Sequence, residues 1–396
     1  MGLPPFSSHH RQLFFYPPDF QRVQAVRFVA HRAGVERFDR RFLQNDEHQH
    51  LEAEGFQCGL VNAREVKNLP GRAKTDRADA IWLAKVAERG MCRPSLVHPA
   101  EIRRLRDLTR YRRALVQDRT REQQRIEKLL EDAQIKISSV LSELHGVTAR
   151  AMMDALIAGQ RDPRALAQLA KGRARKKTAQ LEEALRGFFT DHHAAILRMM
   201  LDNTDRISAQ IAALDARIEK EIGPFSGQAA RLAEIPGVDA VAAAELIAEI
   251  GVDMTRFPSD AHLVSWAKFC PQTHESAGKS KSKGRGRGNP WLAGTLGRIA
   301  FANSRADTFL GARYRRLARR RGKQKAIVAT GNSVLTVVYY LLSDPMATFR
   351  DLGPGHYESR INVHRRARDL VTQLQALTGQ HIVIRDGKAV ITDAAA

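Results

Sequence analysis

A mixed, mostly α-helical fold with a short α/β segment near the N-terminal end is what the sequence predicts, on three observations. Two long charged stretches, after Glu101 and after His192, carry apolar residues at spacings of three and four. The short run Phe56 to Val61, behind a helix end at Leu51-Glu52-Ala53-Glu54 and Gly55, reads as a buried strand. From Pro224 to about Leu342 the pattern is helical again.

Composition sets the frame for these elements. The chain has 396 residues and is 43% hydrophobic, which is room for two or three domains with buried cores. It carries 64 Lys plus Arg against 43 Asp plus Glu, a formal charge of +21. Such a chain is basic yet foldable, which excludes wholesale disorder. Each cation seated on a phosphate releases condensed counterions, so nucleic acid is the expected partner. Cys58, Cys92 and Cys270 lie far apart, with no pair at the spacing of a zinc knuckle or redox dithiol. A reducing cytoplasm, close to the nucleoid, and no sulfur-held metal are expected. No run reaches the roughly eighteen apolar residues of a membrane span, and the first residues lack a basic stretch leading into an apolar one. No membrane partner is expected, and Val334 to Leu342 suits a buried helix.

In chain order, residues 1–50 mix Phe14-Phe15-Tyr16-Pro17-Pro18 with Gln, His and Arg at neither periodicity, and are expected to be irregular and poorly ordered. Residues 51–100 form the tail of an α/β unit, with a helix opening at Thr75 or Asp76. Residues 101–223 form a helical arm. Its first helix runs to about Ile137, and its second, roughly 192–222, repeats Met200, Thr204, Ile207, Ile211, Leu214 and Ile218 as a heptad seam. The mate of that seam is the first helix or a copy in another subunit, so a coiled coil or dimerisation element is expected. Short helices broken at Gly146, Gly159 and Gly172 lie between the two. Residues 224–353 form a helical C-terminal domain. Residues 354–396 add a helix and a hairpin, signalled by Asp386-Gly387 between alternating runs.

Four motifs carry candidate chemistry. Ile235-Pro236-Gly237-Val238 resembles the turn of a helix-hairpin-helix, which aims backbone N–H groups at a phosphate; the same turn also serves two core helices. Asp239 stands where that motif usually has a second glycine, and a carboxylate there repels a phosphate. Residues 279–325 hold fifteen Lys or Arg against one acid, Asp307, a balance that points to nucleic-acid contact. Within that stretch, Lys279, Lys281, Lys283, Arg285, Arg287 and Asn289 lie in a flexible glycine-rich strip, and Arg316, Arg319 and Arg320 follow. Gly278-Lys279-Ser280 is not a nucleotide-binding P-loop, because Thr273 stands where the earlier glycine is required and no strand precedes it. Ser276, at the edge of the strip, is a candidate nucleophile toward a phosphodiester, with Ser280 and Ser282 chemically equivalent. Asp76 and Asp79, three apart at a helix start, suit either Mg²⁺ (magnesium) binding with substrate phosphate oxygens or plain N-terminal capping.

Taken together, several ordered motifs resemble the insertion-sequence-110 family of transposases, the DEDD recombinases. They are Val61-Asn62-Ala63-Arg64, Pro70 to Ala80, Leu105 to Arg112, Ile235 to Val238, Ser265-Trp266-Ala267 and Ser276-Ala277-Gly278-Lys279. The resemblance runs from about Leu51 to the end of the chain. It implies an N-terminal RNase-H-like (resolvase-like) domain binding Mg²⁺ through four carboxylates, a coiled-coil arm, and a C-terminal domain with a nucleophilic serine. It also implies DNA recombination guided by a structured RNA of the element, in a tetramer assembled through the arms. By position, Asp76 and Asp79 match the last two carboxylates and Ser276 the nucleophile. The first two carboxylates have no counterpart: Asp19, Glu36 and Asp39 follow no apolar strand. The expectation is therefore a partial RNase-H-like domain with weak Mg²⁺ binding, and two readings stay open: a transposase that exchanges DNA strands through a phosphoserine intermediate, or a defective remnant that only grips DNA or RNA and interferes with intact copies.

Overall fold

A computed structural model describes residues 13–16, 57–60, 96–270, 272–276, 279–283, 288–357, 363–385 and 388–392, with a few single positions besides. The chain divides into two compact units, residues 1–99 and 100–396. In the first, β1 (Leu13–Tyr16) and β2 (Gln57–Leu60) pair antiparallel, Leu13 opposite Leu60 and Tyr16 opposite Gln57. The strand in the 56–61 run is therefore present. Its partner lies in the segment expected to be irregular: a run of three aromatic residues, with high strand propensity but too short for any periodicity, finds its mate some forty residues away.

The second unit is mostly helical and begins with α1 (Ala100–Asp132), 33 residues and about 50 Å long. It ends where Gln134 takes a left-handed conformation (φ 62°), letting Ile135 N–H bond to Leu130 O at 2.8 Å and Gln134 N–H to Glu131 O at 2.9 Å. Short helices follow: α2 (Ile137–Val140), α3 (Val147–Ile157), α4 (Pro163–Ala167), a 3₁₀ turn (Gly172–Lys177) and α5 (Thr178–Ala184). Their buried residues, among them Met152, Met153, Leu166 and Leu181, close over Ile126 and Leu130 of α1. The breaks fall at the three glycines expected.

The second long helix, α6 (Asp191–Glu221), starts on a capping box in which Thr190 and His193 exchange hydrogen bonds. It runs antiparallel to α1, since Arg104 pairs with Glu221, Arg112 with Asp215, and Arg119 with Ser208. The seam is consumed within the chain: Ile207 and Ile211 are buried with Leu115 of α1, and Leu214 packs against them. Of the two mates considered for the seam, the first long helix is the one observed.

A 3₁₀ turn at Gly223–Phe225 leads to α7 (Ser226–Ala233) and α8 (Ala240–Ile250), then a 3₁₀ turn at Met254–Arg256 and α9 (Asp260–Trp266). Next come the antiparallel pair β3 (Gln272–Ser276) and β4 (Lys279–Lys283), and the helices α10 (Pro290–Asn303), α11 (Phe309–Arg321) and α12 (Lys323–Ser343). A 3₁₀ turn at Pro354–Tyr357, α13 (Val363–Thr378) and the hairpin of β5 (His381–Arg385) with β6 (Lys388–Thr392) complete the chain. The two residues between β5 and β6 are the Asp386-Gly387 of the sequence signal. Among the described residues, α12 alone is long and apolar enough to cross a membrane. Its apolar stripe, Val334, Leu335, Val338 and Leu341, is instead buried against the C-terminal domain. Thr336 and Tyr339 tie the same helix to Asp260 and to the Phe257 carbonyl.

The turn between α7 and α8 depends on Gly237, with φ +81°. A Cβ there would stand 2.7 Å from Asn303 Nδ2, the group that donates to the Pro236 carbonyl at 2.5 Å. Gly237→Ala is expected to destabilise the unit by roughly 2 kcal/mol, from left-handed strain together with a displaced Asn303. Thermal melting of the two proteins checks it; equal midpoints would mean that the turn relaxes freely.

Candidate functional site

The basic strip expected to be flexible is a β-hairpin held at its neck. On the incoming side, Phe269 is buried against Gly331, and its carbonyl accepts from Asn332 Nδ2 at 3.1 Å. On the outgoing side Gly288 returns beside the incoming chain so closely that a Cβ would lie 2.5 Å from the Ala267 carbonyl. Asn289 then caps α10, its Oδ1 accepting from Trp291 N–H at 2.9 Å while its Nδ2 donates to Glu249 at 2.5 Å. The amide placed among the nucleic-acid contacts by sequence thus also serves the fold, hydrogen-bonded through both its oxygen and its nitrogen.

The hairpin register puts Ser276 opposite Lys279, His274 opposite Lys281 and Gln272 opposite Lys283. The same register sets Thr273 opposite Ser282 and Glu275 opposite Ser280. Three serines that the sequence left equivalent therefore take different places in the ladder, and Ser276 is the one paired with a lysine. A strand does precede Gly278-Lys279-Ser280, contrary to expectation, yet Lys279 opens another strand where a P-loop lysine would open a helix.

Arg316, Arg319 and Arg320 are exposed on the last turns of α11, at spacings that share one side of the helix. Arg313 and Arg315 turn to the fold instead, Arg313 donating to the Ala329 carbonyl at 3.5 Å and Arg315 to the Ala306 carbonyl at 2.8 Å while pairing with Asp307. Pro236 and Gly237 form the α7–α8 turn, but the α8 N-terminus is already capped by Asp239, whose carboxylate accepts from Ala242 N–H at 2.7 Å. That cap occupies a donor that a helix-hairpin-helix would offer to phosphate. Asp76, Asp79, Arg285 and Arg287 lie outside the described residues.

Sequence reasoning missed the buried ionic seam that fixes the hairpin's outgoing neck to the arm. Glu249, 3% exposed, accepts from Nε and Nη2 of Arg110, each at 2.7 Å, besides Asn289. One turn earlier, Glu245 accepts from Thr295 Oγ1 at 2.5 Å and pairs with Arg298. Arg106 donates to the Ala248 carbonyl at 2.8 Å, and Arg113 to the Trp291 carbonyl at 2.8 Å. The Arg110 and Arg113 guanidinium groups lie over the Trp291 ring. Burial lowers the Arg106 and Arg113 pKa values, against the pull of the two glutamates. Burial likewise raises that of Asp107, against the neighbouring arginines. The signal was legible: Glu245 and Glu249, four apart, are the acids of an otherwise Ala, Val, Leu and Ile helix.

Two family models match the chain in this order. A transposase model of the DEDD IS110 type covers residues 47–135, from the Asp76 segment through α1. The transposase IS116/IS110/IS902 family model covers 229–315, which includes the α7–α8 turn, the hairpin, its neck and half of α11. No individual curated protein matches. The two matches, one holding the arm helix and the other the hairpin that this helix braces, identify the protein as a transposase. The chain belongs to the IS110 family, and DNA is its partner.

Proposed function

We propose that this transposase exchanges DNA strands through Ser276. Its hydroxyl oxygen bonds to a backbone phosphorus as the bond from that phosphorus to a DNA hydroxyl oxygen breaks. The serine gives up its proton and the departing oxygen takes one up, so one phosphodiester replaces another. Attack by the exchanged strand's hydroxyl reverses the balance and frees Ser276. The observation that carries this reading is the register: Ser276 stands directly opposite Lys279 in a strand pair that also holds Lys281 and Lys283, cations that would neutralise a scissile phosphate. The family match suggests a divalent metal cofactor. Mg²⁺ held by Asp76 and Asp79 is the proposed ion; among the described residues no group of three His, Cys, Asp or Glu could hold one. A structured guide RNA, supported by a cation excess larger than one hairpin uses, completes the reading, with a homo-oligomer built on the helical arm as the resemblance to the family implies.

Replacing Lys279, Lys281 and Lys283 together by glutamine is expected to lower the slope of log affinity for duplex DNA against log salt by about 2 to 3, one phosphate contact per lysine. Fluorescence anisotropy across a salt series measures it, and an unchanged slope would remove the hairpin from the DNA interface.

A second reading, a chain that binds nucleic acid without cutting it, is favoured by one observation: the DEDD match begins at residue 47, and neither family model matches residues 1–46. Covalent capture on element-junction DNA with guide RNA and Mg²⁺ separates the two. A denaturation-resistant protein–DNA adduct supports strand exchange; retained binding with no adduct supports the second reading.

A further inference from the structure

We propose a second DNA-binding surface at Lys171–Lys177, in the helical insertion between the two long helices, contacting the sugar–phosphate backbone of a duplex without reading its sequence. It goes beyond the strand-exchange reading, since it lies on different elements and requires no chemistry. The run Lys171-Gly172-Arg173-Ala174-Arg175-Lys176-Lys177 holds five cations, and no acid occurs from 163 to 181. All five are exposed, and among the described residues none is in an ion pair. The flanking acids are occupied, Asp162 capping α4 and Glu182 pairing with Arg186.

The run is held in place from beneath. Lys171 N–H donates to Thr148 Oγ1 at 3.1 Å, and Ala174 packs against the core of the insertion. Arg175 Nε reaches the Ala170 carbonyl at 3.4 Å and Lys177 Nζ the Val140 carbonyl at 2.7 Å. An ordinary solvated face mixes signs, as the arm does with its Arg–Asp and Arg–Glu pairs. Helix stabilisation does not explain the run either, because cations immediately before the first turn of α5 stand at the unfavourable end of its dipole. An array of like charges with no internal counterpart is stabilised by an external polyanion.

The residue types select the partner further. Residues 163–181 contain no aromatic ring, whereas single strands and unpaired RNA bases are held by stacking on aromatic side chains. What remains is backbone contact with a duplex, and DNA is the transposase's partner. The surface is also distinct from the hairpin. The hairpin neck is braced at Arg106 to Arg113 of α1, and the insertion packs on Ile126 and Leu130, which lie roughly 25 Å further along the same helix.

The test uses the full chain with Lys171→Gln, Arg173→Gln and Lys176→Gln combined, leaving the two cations that hold carbonyls. A control combines Lys128→Gln, Arg217→Gln and Lys220→Gln, three exposed cations of the long helices, and removes the same net charge. Affinity for a random-sequence DNA duplex is measured across a salt series, with circular dichroism confirming equal helix content. The expected result is a slope reduced by about 2 to 3 and an affinity loss of roughly tenfold or more at moderate salt for the first variant. The control should lose less than half of that. An unchanged slope overturns the proposal, as does an equal loss in the control, which would make the effect one of net charge. A loss confined to an RNA duplex of the same length overturns the assignment to DNA. The Lys279, Lys281 and Lys283 variant, run in parallel, reports on the hairpin separately.

Discussion

Replacing Ser276 by alanine is expected to abolish the covalent protein–DNA adduct, a loss on the order of 10³-fold or more, with duplex binding retained. Ser280→Ala and Ser282→Ala are expected to leave adduct formation within about threefold, because the hairpin register sets Ser280 opposite Glu275 and Ser282 opposite Thr273, neither opposite a lysine. All three substitutions remove one hydroxyl from a short polar hairpin, so their cost to folding should be similar. That similarity makes the comparison informative: a difference between position 276 and positions 280 or 282 reports on the place in the ladder and not on stability. Gel analysis after denaturation, with labelled junction DNA, reads the adduct directly. An adduct lost in Ser280→Ala or Ser282→Ala and kept in Ser276→Ala would move the nucleophile to another serine and overturn the proposed strand exchange through Ser276.

The register that makes this prediction possible was hidden in plain composition. Lys279-Ser280-Lys281-Ser282-Lys283 alternates with the period of a strand, but periodicity is ordinarily read in apolar residues, and neither lysine nor serine favours strands. The same strip was therefore expected to be flexible. Where alternation or helical spacing involved apolar residues, the elements were legible: the long helices fall at Ala100–Asp132 and Asp191–Glu221, and β5 pairs antiparallel with β6 on either side of positions 386 and 387. The first helix stops about five residues short of its expected end because Gln134 takes the left-handed position ordinarily filled by glycine. Asn289 shows a different limit. An asparagine after a glycine-arginine run suits phosphate contact and helix capping equally, and only the position of Glu249, 40 residues earlier, decides for the cap.

Glu249→Gln is expected to be the most destabilising conservative change in the second unit, by about 3 kcal/mol and in the range of a broken buried ion pair. The glutamine keeps the shape of the site but removes the charge that faces Arg110 and Arg106, which would then stand partly buried beside each other. It also puts an NH₂ group where Arg110 or Asn289 now donates, so one donor faces another. A lowering of the melting midpoint by roughly 5–10 °C should follow. Replacing Arg110 and Glu249 together by methionine is expected to recover part of that loss, since the uncompensated charge disappears with its partner. The consequence reaches the chemistry through Asn289. Its amide binds Glu249 with one end and caps α10 with the other, so loss of the Glu249 charge loosens the outgoing neck of the hairpin that carries Ser276. Glu249 is thus a positioning residue: in Glu249→Gln the adduct yield at a temperature well below the melting midpoint should fall, while the salt slope of DNA binding stays unchanged, because no phosphate contact has been removed. A variant that melts as expected yet forms adduct at the rate of the unmodified chain would show that the seam supports the fold alone and does not hold the hairpin in register with the arm.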